Sequence, residues 1–241
     1  MLKLRLRRST VSLLSLVVLG VMLACCAPVV SAQSSFSFNA PRDYVVGQFP
    51  ESIALADFNG DGLPDIATAN VLSNTVSVLL QNSDGTFQTA LTYTVGKDPS
   101  SLQVGDVNGD GKLDLVLINH TDNTLGVLLG NGDGTFQAEV VTTFTQTLSS
   151  IALAVGDFNG DGKADVAVTA PLAQVGTFGV SVLISNGDGT FQTPVSYAVN
   201  GSPVALAAAD INNDGKMDLV AGGSGVSSAA GQRRWHISGS D

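Results

Sequence analysis

The chain has 241 residues, a formal net charge of −10, 44% hydrophobic residues and only 13% charged ones. Acidity on this scale, with no basic stripe, excludes a nucleic-acid-binding surface. Both cysteines, Cys25 and Cys26, fall in the first thirty residues, which leaves the rest without a disulfide framework or thiol chemistry.

At the N-terminus Lys3, Arg5, Arg7 and Arg8 precede an apolar run from Val11 to Val30, ending Val30-Ser31-Ala32. Basic region, apolar core and small-residue exit describe a secretory signal peptide, 1–32, cut after Ala32. A retained membrane anchor fits that exit less well. A lipoprotein reading of Cys25 and Cys26 is weakened by Met22-Leu23-Ala24 ahead of them. The expected location is therefore secreted, cell-surface or periplasmic, with no stable membrane insertion after cleavage. Removing the four basic residues leaves seven against 21 acids, a net charge of −14 for the processed chain.

From Phe36 onward the chain repeats itself. An outer strand is expected at 36–47, because Phe38 and Tyr44 share the spacing of Phe87 with Tyr93 and of Phe191 with Tyr197. Complete units occupy about 48–96, 97–147 and 148–200, with an incomplete one at 201–223. The first unit reads as four strands: Ser52 to Ala56, Asp65 to Asn70, Thr75 to Leu80, and an alternating outer strand from Thr86 to Val95. An Asp-Gly hairpin signal, Asp84-Gly85, separates the last two and recurs at Asp133-Gly134 and Asp188-Gly189. Turn chemistry is the favoured role for these three aspartates, with metal ligation the alternative.

Between the first two strands of every unit lies an acidic nonapeptide, at intervals of 49, 51 and 53 residues. Its oxygen side chains are Asp57, Asn59, Asp61 and Asp65; Asp106, Asn108, Asp110 and Asp114; Asp157, Asn159, Asp161 and Asp165; and Asp210, Asn212, Asp214 and Asp218. A hard cation such as Ca2+ takes six to eight oxygens, and a short loop supplies them from alternate residues around a sharp glycine turn. The seventh position needs only a main-chain carbonyl, so Leu63, Lys112, Lys163 and Lys216 complete the candidate ligand set. A bland reading makes Asp, Asn and Gly mere turn formers. Four copies at identical spacing favour calcium. An EF-hand does not fit: its twelfth-position Glu is replaced by Thr68, Leu117, Val168 and Ala221, and the short apolar run after each loop reads as strand.

A four-stranded unit at this period describes a β-propeller blade. The loop Asp-x-Asn-x-Asp-Gly-x-x-Asp, the Asn-Gly-Asp-Gly-Thr-Phe turn and the fifty-residue period resemble FG-GAP/VCBS-type repeats, related to the calcium-bearing blades of integrin α-subunits. The resemblance spans 36–223. It implies an all-β propeller of four-stranded antiparallel blades with calcium in the loop between the first two strands of each. Propellers of this kind usually carry seven blades, and four loops are present here. From Ser224 to Asp241 the chain carries Arg233, Arg234 and its only tryptophan, Trp235, and departs from the repeat. The expectation is a partial or truncated ring, 33–223, with an aberrant tail, 224–241. A closed four-bladed ring is the runner-up.

Three functions are compatible with these residues. The first is a secreted, calcium-binding scaffold for adhesion to a protein or glycan. The second is a polysaccharide-acting enzyme. It has little to work with, since only His120 and His236 are present and no serine stands in a G-x-S-x-G context; the chain is expected not to be an enzyme. The third is a non-functional fragment of a larger surface protein. An incomplete ring would also leave faces through which copies could oligomerise.

Overall fold

The computed structural model describes residues 40–144, 152–171, 178–199, 202–213, 217–223 and 226–229. The chain falls into two compact units, Met1–Arg42 and Asp43–Asp241, and every strand belongs to the second. The expected signal peptide, the tail beyond residue 229, and Asp214 and Lys216 of the fourth loop lie outside the described residues. No helix among the described residues is long and apolar enough to cross a membrane.

The first sheet consists of β1 (Pro50–Ala56), β2 (Asp65–Asn70), β3 (Thr75–Leu79) and β4 (Leu91–Thr94), in that spatial order. The second repeats it with β5 (Pro99–Gly105), β6 (Asp114–Asn119), β7 (Thr124–Leu128) and β8 (Val140–Thr143). The third holds β9 (Leu153–Gly156), β10 (Asp165–Pro171), β11 (Phe178–Leu183) and β12 (Val195–Val199). Among the described residues the fourth has three strands, β13 (Ala205–Ala209), β14 (Asp218–Gly222) and β15 (Val226–Ala229). All pairings are antiparallel.

The middle strands explain the sequence pattern. Every residue of β6 and β7 is buried, because a strand inside a sheet that is covered on both faces needs apolar side chains in both directions. Outer strands such as β4 and β8 have one solvated face and alternate accordingly. The sheets stack, β1 on β5, β5 on β9 and β9 on β13. Between the first two sheets, Ala67, Ala69, Val76 and Val78 meet Leu102, Leu115, Leu117 and Leu128. Between the next two, Val116, Ile118, Leu125 and Val127 meet Leu153, Val166, Val168 and Leu183. Ala167, Val180 and Val182 meet Leu206, Leu219 and Ala221 at the third interface.

These stacked antiparallel sheets form a β-propeller-like fold. It is not a closed ring among the described residues: β13 and β14 pack on the third sheet and make no comparable contact with β1 or β2.

Three strand expectations need adjusting. The fourth unit does possess a third strand, β15, which pairs Val226–Ala229 with Leu219–Gly222 where the repeat motif gave no sign of one. The outer strand expected over Thr86 to Val95 is regular only at Leu91–Thr94, since Phe87 makes a single bridge to Gln81 and the chain then leaves the ladder. Residues 40–46 form no strand, and 36–39 lie outside the described residues. Tyr44, Gly47 and Gln48 instead dock on the first sheet. The hydroxyl of Tyr44 accepts from Phe87 N at 3.3 Å, Gly47 N donates to Ser77 Oγ at 3.2 Å, and Gln48 N donates to Ser73 Oγ at 3.0 Å.

Candidate functional site

Each acidic loop joins the first two strands of a sheet, and the first three loops share one hydrogen-bond pattern. In the first, Asp57 Oδ1 accepts from Gly60 N (2.8 Å) and Asp61 N (3.1 Å), and its Oδ2 accepts from Gly62 N (2.8 Å). Asp106 takes the N–H groups of Gly109, Asp110 and Gly111 in the same way. Asp157 takes those of Gly160, Asp161 and Gly162. Wrapping the backbone this tightly requires left-handed φ at two positions, 74° at Gly60 and 82° at Gly62. Side chains with a Cβ adopt that region reluctantly, which is why both positions are glycine. The converging amides, Gly62 N–H first, hold the Asp57 carboxyl below the usual range.

The third and fifth positions continue the turn. Asn59 Oδ1 accepts from Asp61 N at 3.0 Å, and Asp61 Oδ1 accepts from Leu63 N at 2.8 Å. Asn108 with Asp110, and Asn159 with Asp161, repeat both bonds. Asp61 Oδ2 is met by Asn59 Nδ2 at 3.0 Å. Asn159 Nδ2 meets Asp161 Oδ2 likewise at 3.1 Å, and in the second and third loops the seventh residue reaches the same carboxylate. Lys112 Nζ lies 3.5 Å from Asp110 Oδ2, and Lys163 Nζ lies 2.7 Å from Asp161 Oδ2. The Lys163 ammonium accordingly holds the Asp161 carboxyl down.

The ninth position behaves differently. Asp65, Asp114, Asp165 and Asp218 are all buried. Asp114 Oδ2 accepts from Val107 N at 2.9 Å and its Oδ1 from Gly130 N at 2.8 Å, so it ties the loop to the end of β7. Asp65 bridges Phe58 N and Gln81 N, and Asp165 bridges Phe158 N and Ser185 N, in the same manner. Asp218 accepts from Ile211 N at 3.0 Å. Burial pushes Asp114 and Asp165 up to about 6 despite these bonds, with smaller contributions from the aspartates of their own loops.

The loops adjoin the hairpins and each other. Phe58 O accepts from Gly134 N of the second hairpin at 3.0 Å, and Val107 O accepts from Ser185 Oγ at 2.5 Å. Asp106 O accepts from Ala164 N of the third loop at 2.7 Å. The hairpin aspartates are turn formers: Asp84, Asp133 and Asp188 each accept from the N–H and the hydroxyl of the threonine two residues on.

The loop oxygens suit a hard cation by donor type. An ionised carboxylate offers about four lone-pair sites. Asp57 uses three on backbone N–H groups, Asp61 two on Leu63 N and Asn59 Nδ2, and Asp65 two on backbone N–H groups, which leaves each with acceptor capacity. Among the described residues, however, no three His, Cys, Asp or Glu side chains converge into a metal-binding cluster. The ninth aspartates face the interior while the first and fifth sit at the rim.

Sequence reasoning passed over a second polar cluster, at the other end of the middle strands. Asn70 and Asn119, both fully buried, close β2 and β6. Asn70 Nδ2 donates to Ser77 Oγ at 2.9 Å, the hydroxyl that also receives Gly47 N. In the second sheet Gly126 replaces that serine and Glu139 enters the space. Glu139 Oε2 accepts from Gly96 N at 3.0 Å and its Oε1 from Asn119 Nδ2 at 2.7 Å. A Cβ at position 126 would collide with the Glu139 carboxylate. The signal available in sequence was an asparagine ending an otherwise apolar strand in two consecutive repeats.

A family model described as an FG-GAP-like repeat matches residues 57–117, 106–168 and 175–221. The chain belongs to the FG-GAP-like repeat family. No curated protein matches it. Among solved structures, a crystal structure of BBS1N in complex with ARL6DN, soaked with lead, aligns with a TM-score of 0.53 at 11% identity. The alignment covers 85% of this chain and 59% of that one, and at this identity the likeness concerns the fold alone. FG-GAP-like repeats in this chain thus build a repeat-based, propeller-like scaffold, with their acidic loops at the turn between the first two strands.

Proposed function

We propose that this FG-GAP-like chain is an exported, calcium-stiffened scaffold that binds a protein or glycan and performs no catalysis. The observation that carries the calcium reading is the threefold recurrence of one loop conformation, in which oxygens of the first, third and fifth residues gather at an exposed rim. Asp57, Asn59, Asp61 and Asp65, with the carbonyl of Leu63, would hold the ion in the first loop; the corresponding residues would do so in the others. A bound Ca2+ would neutralise carboxylates that otherwise repel one another within one turn of chain. It would also displace the Asn59–Asp61 contact and the lysine pairs of the second and third loops.

Binding to the folded state alone adds stability by mass action, about 2.7 kcal/mol per site at a hundredfold excess over Kd. Thermal melts in calcium and in excess EDTA test this directly. Chelation is expected to lower the midpoint by several degrees, and coincident melts would refute the structural role of the ion. The partner is approached with a glycan array and an extracellular-protein array probed with the calcium-loaded chain. Saturable binding to either supports the scaffold reading.

A further inference from the structure

The three interfaces inside the chain share one design, and its two halves are left open at the ends of the stack. Leu102, Leu115, Leu117 and Leu128 of the second sheet, joined by Tyr93 on β4 and Val95 just after it, share the core between the first two sheets. Their counterparts by position from the acidic loop are Ile53, Ile66, Thr68 and Leu79 of the first sheet, with Tyr44 and Val46 from the segment ahead of it. Those six line a groove of about 400 Å3. Leu102 is 1% exposed, whereas Ile53 is 63% exposed and its neighbour Leu55 66%; Thr68 and Leu79 are buried like Leu117 and Leu128, so the opening runs along β1.

The opposite side of the pattern is open on the fourth sheet. Phe58 and Val107, the second residues of their loops, are 4% and 0% exposed beneath the next sheet. Ile211, in the same position, is 55% exposed. Ala207 and Ala209 are exposed on β13, while Ala54 and Ala56, which they match in β1, pack in the first interface. Size complementarity holds as well. The first interface sets alanines on β1 and β2 against leucines on β5 and β6. The fourth sheet's open face is the small side, and the first sheet's is the large side.

We propose that these two faces are halves of an intermolecular interface, through which copies of this chain add head to tail. The partner is a second copy, whose fourth sheet covers the first sheet of its neighbour as the first sheet covers the second within the chain. Such a contact continues an interface already built three times in the same molecule. Apolar patches of this kind on soluble proteins mark interaction sites. The contact is heterologous, because each copy offers two different surfaces, so it propagates unless the rotation closes a ring.

Sedimentation equilibrium on the intact processed chain tests the proposal. The wild type is expected to associate in a concentration-dependent way. Ile53→Glu blocks one face and Ile211→Glu the other; burying an unpaired carboxylate should weaken self-association at least about tenfold in each. Each variant keeps the complementary face intact, so an equimolar mixture should form a heterodimer and stop there. Val195→Glu, on an exposed position of outer strand β12, is the control and should associate like the wild type. Circular dichroism confirms folding, and Leu55→Asp replaces Ile53→Glu if that variant unfolds. A wild type that stays monomeric, whether by closing on itself or by needing another protein, overturns the proposal. So does a mixture of the two blocked variants that fails to pair.

Discussion

Two sets of aspartates share each acidic loop and live in different solvents. The ninth residue is buried and saturates backbone N–H groups that have no other acceptor, as Asp114 does for Val107 N and Gly130 N. The first and fifth sit at the rim, where Asp57 and Asp161 are held low by N–H groups or by a lysine. The same residue type in one motif therefore does two jobs. The inner aspartate fastens the loop to the sheet, and the outer ones present charge. A repeat motif records both sets without distinguishing them.

The largest effect should come from cutting the fastening. Asp114→Ala leaves two buried donors unsatisfied and is expected to lower the unfolding free energy by roughly 3 kcal/mol. Urea titration in EDTA reads this without any contribution from a cation. An effect that vanished without calcium would show that Asp114 serves only as a ligand. Asp57→Asn is the complementary cut. It should remove the first loop's share of the calcium-induced rise in melting midpoint, while the melt in EDTA falls by less than for Asp114→Ala, because only the exposed Gly62 N–H loses its acceptor. Equal losses in both conditions would erase the distinction between rim and interior.

A half-buried carboxylate outside the loops, Glu139, separates burial from the motif. Burial raises Glu139 above its ordinary 4.5, against the bonds from Asn119 and Gly96, with a small upward push from Asp122. The folded state thus holds this proton more tightly than the unfolded chain. Its contribution to stability is fully present below 4.5 and is lost as pH rises through the folded value. Glu139→Gln should flatten that part of the stability–pH profile, measured as the difference from wild type. An unchanged difference across the range would mean that Glu139 titrates as in the unfolded chain.

The smallest effect concerns competition at the rim. Lys163 Nζ occupies Asp161 Oδ2 at 2.7 Å, whereas Leu63 places no ammonium in the first loop. Lys163→Met should raise the third loop's affinity for terbium, a luminescent substitute for calcium, by about threefold, in keeping with the modest strength of exposed ion pairs. No change would show that the pair exerts no hold on the site.

Much of the scaffold was legible because it is written in local terms. β2 matches its expected bounds and β3 ends one residue early, since continuous apolar runs after an acidic turn have few other outcomes. The outer strand was read too long, because the alternation of Thr86 to Val95 persists where Gln88 N bonds Leu80 O and the chain leaves the ladder. β15 escaped notice because its pairing depends on β14 rather than on a motif of its own. The inward turn of the ninth aspartate was equally hidden. Nothing in Asp-x-Asn-x-Asp-Gly-x-x-Asp says that its last carboxylate meets the N–H of a residue just past the end of the neighbouring strand.

Gly126 and Glu139 carry a lesson about how such repeats diverge. One backbone amide, Gly47 N ahead of the first sheet and Gly96 N ahead of the second, is served by a hydroxyl in one case and by the carboxylate of Glu139, just before β8, in the other. The two solutions exclude each other sterically, as a side chain at 126 would strike Glu139. Passing from one to the other by single substitutions crosses either a clash or an orphaned donor. Neighbouring blades with a common ancestor can therefore become locked into separate dialects, and consensus design across them must move such residues in pairs.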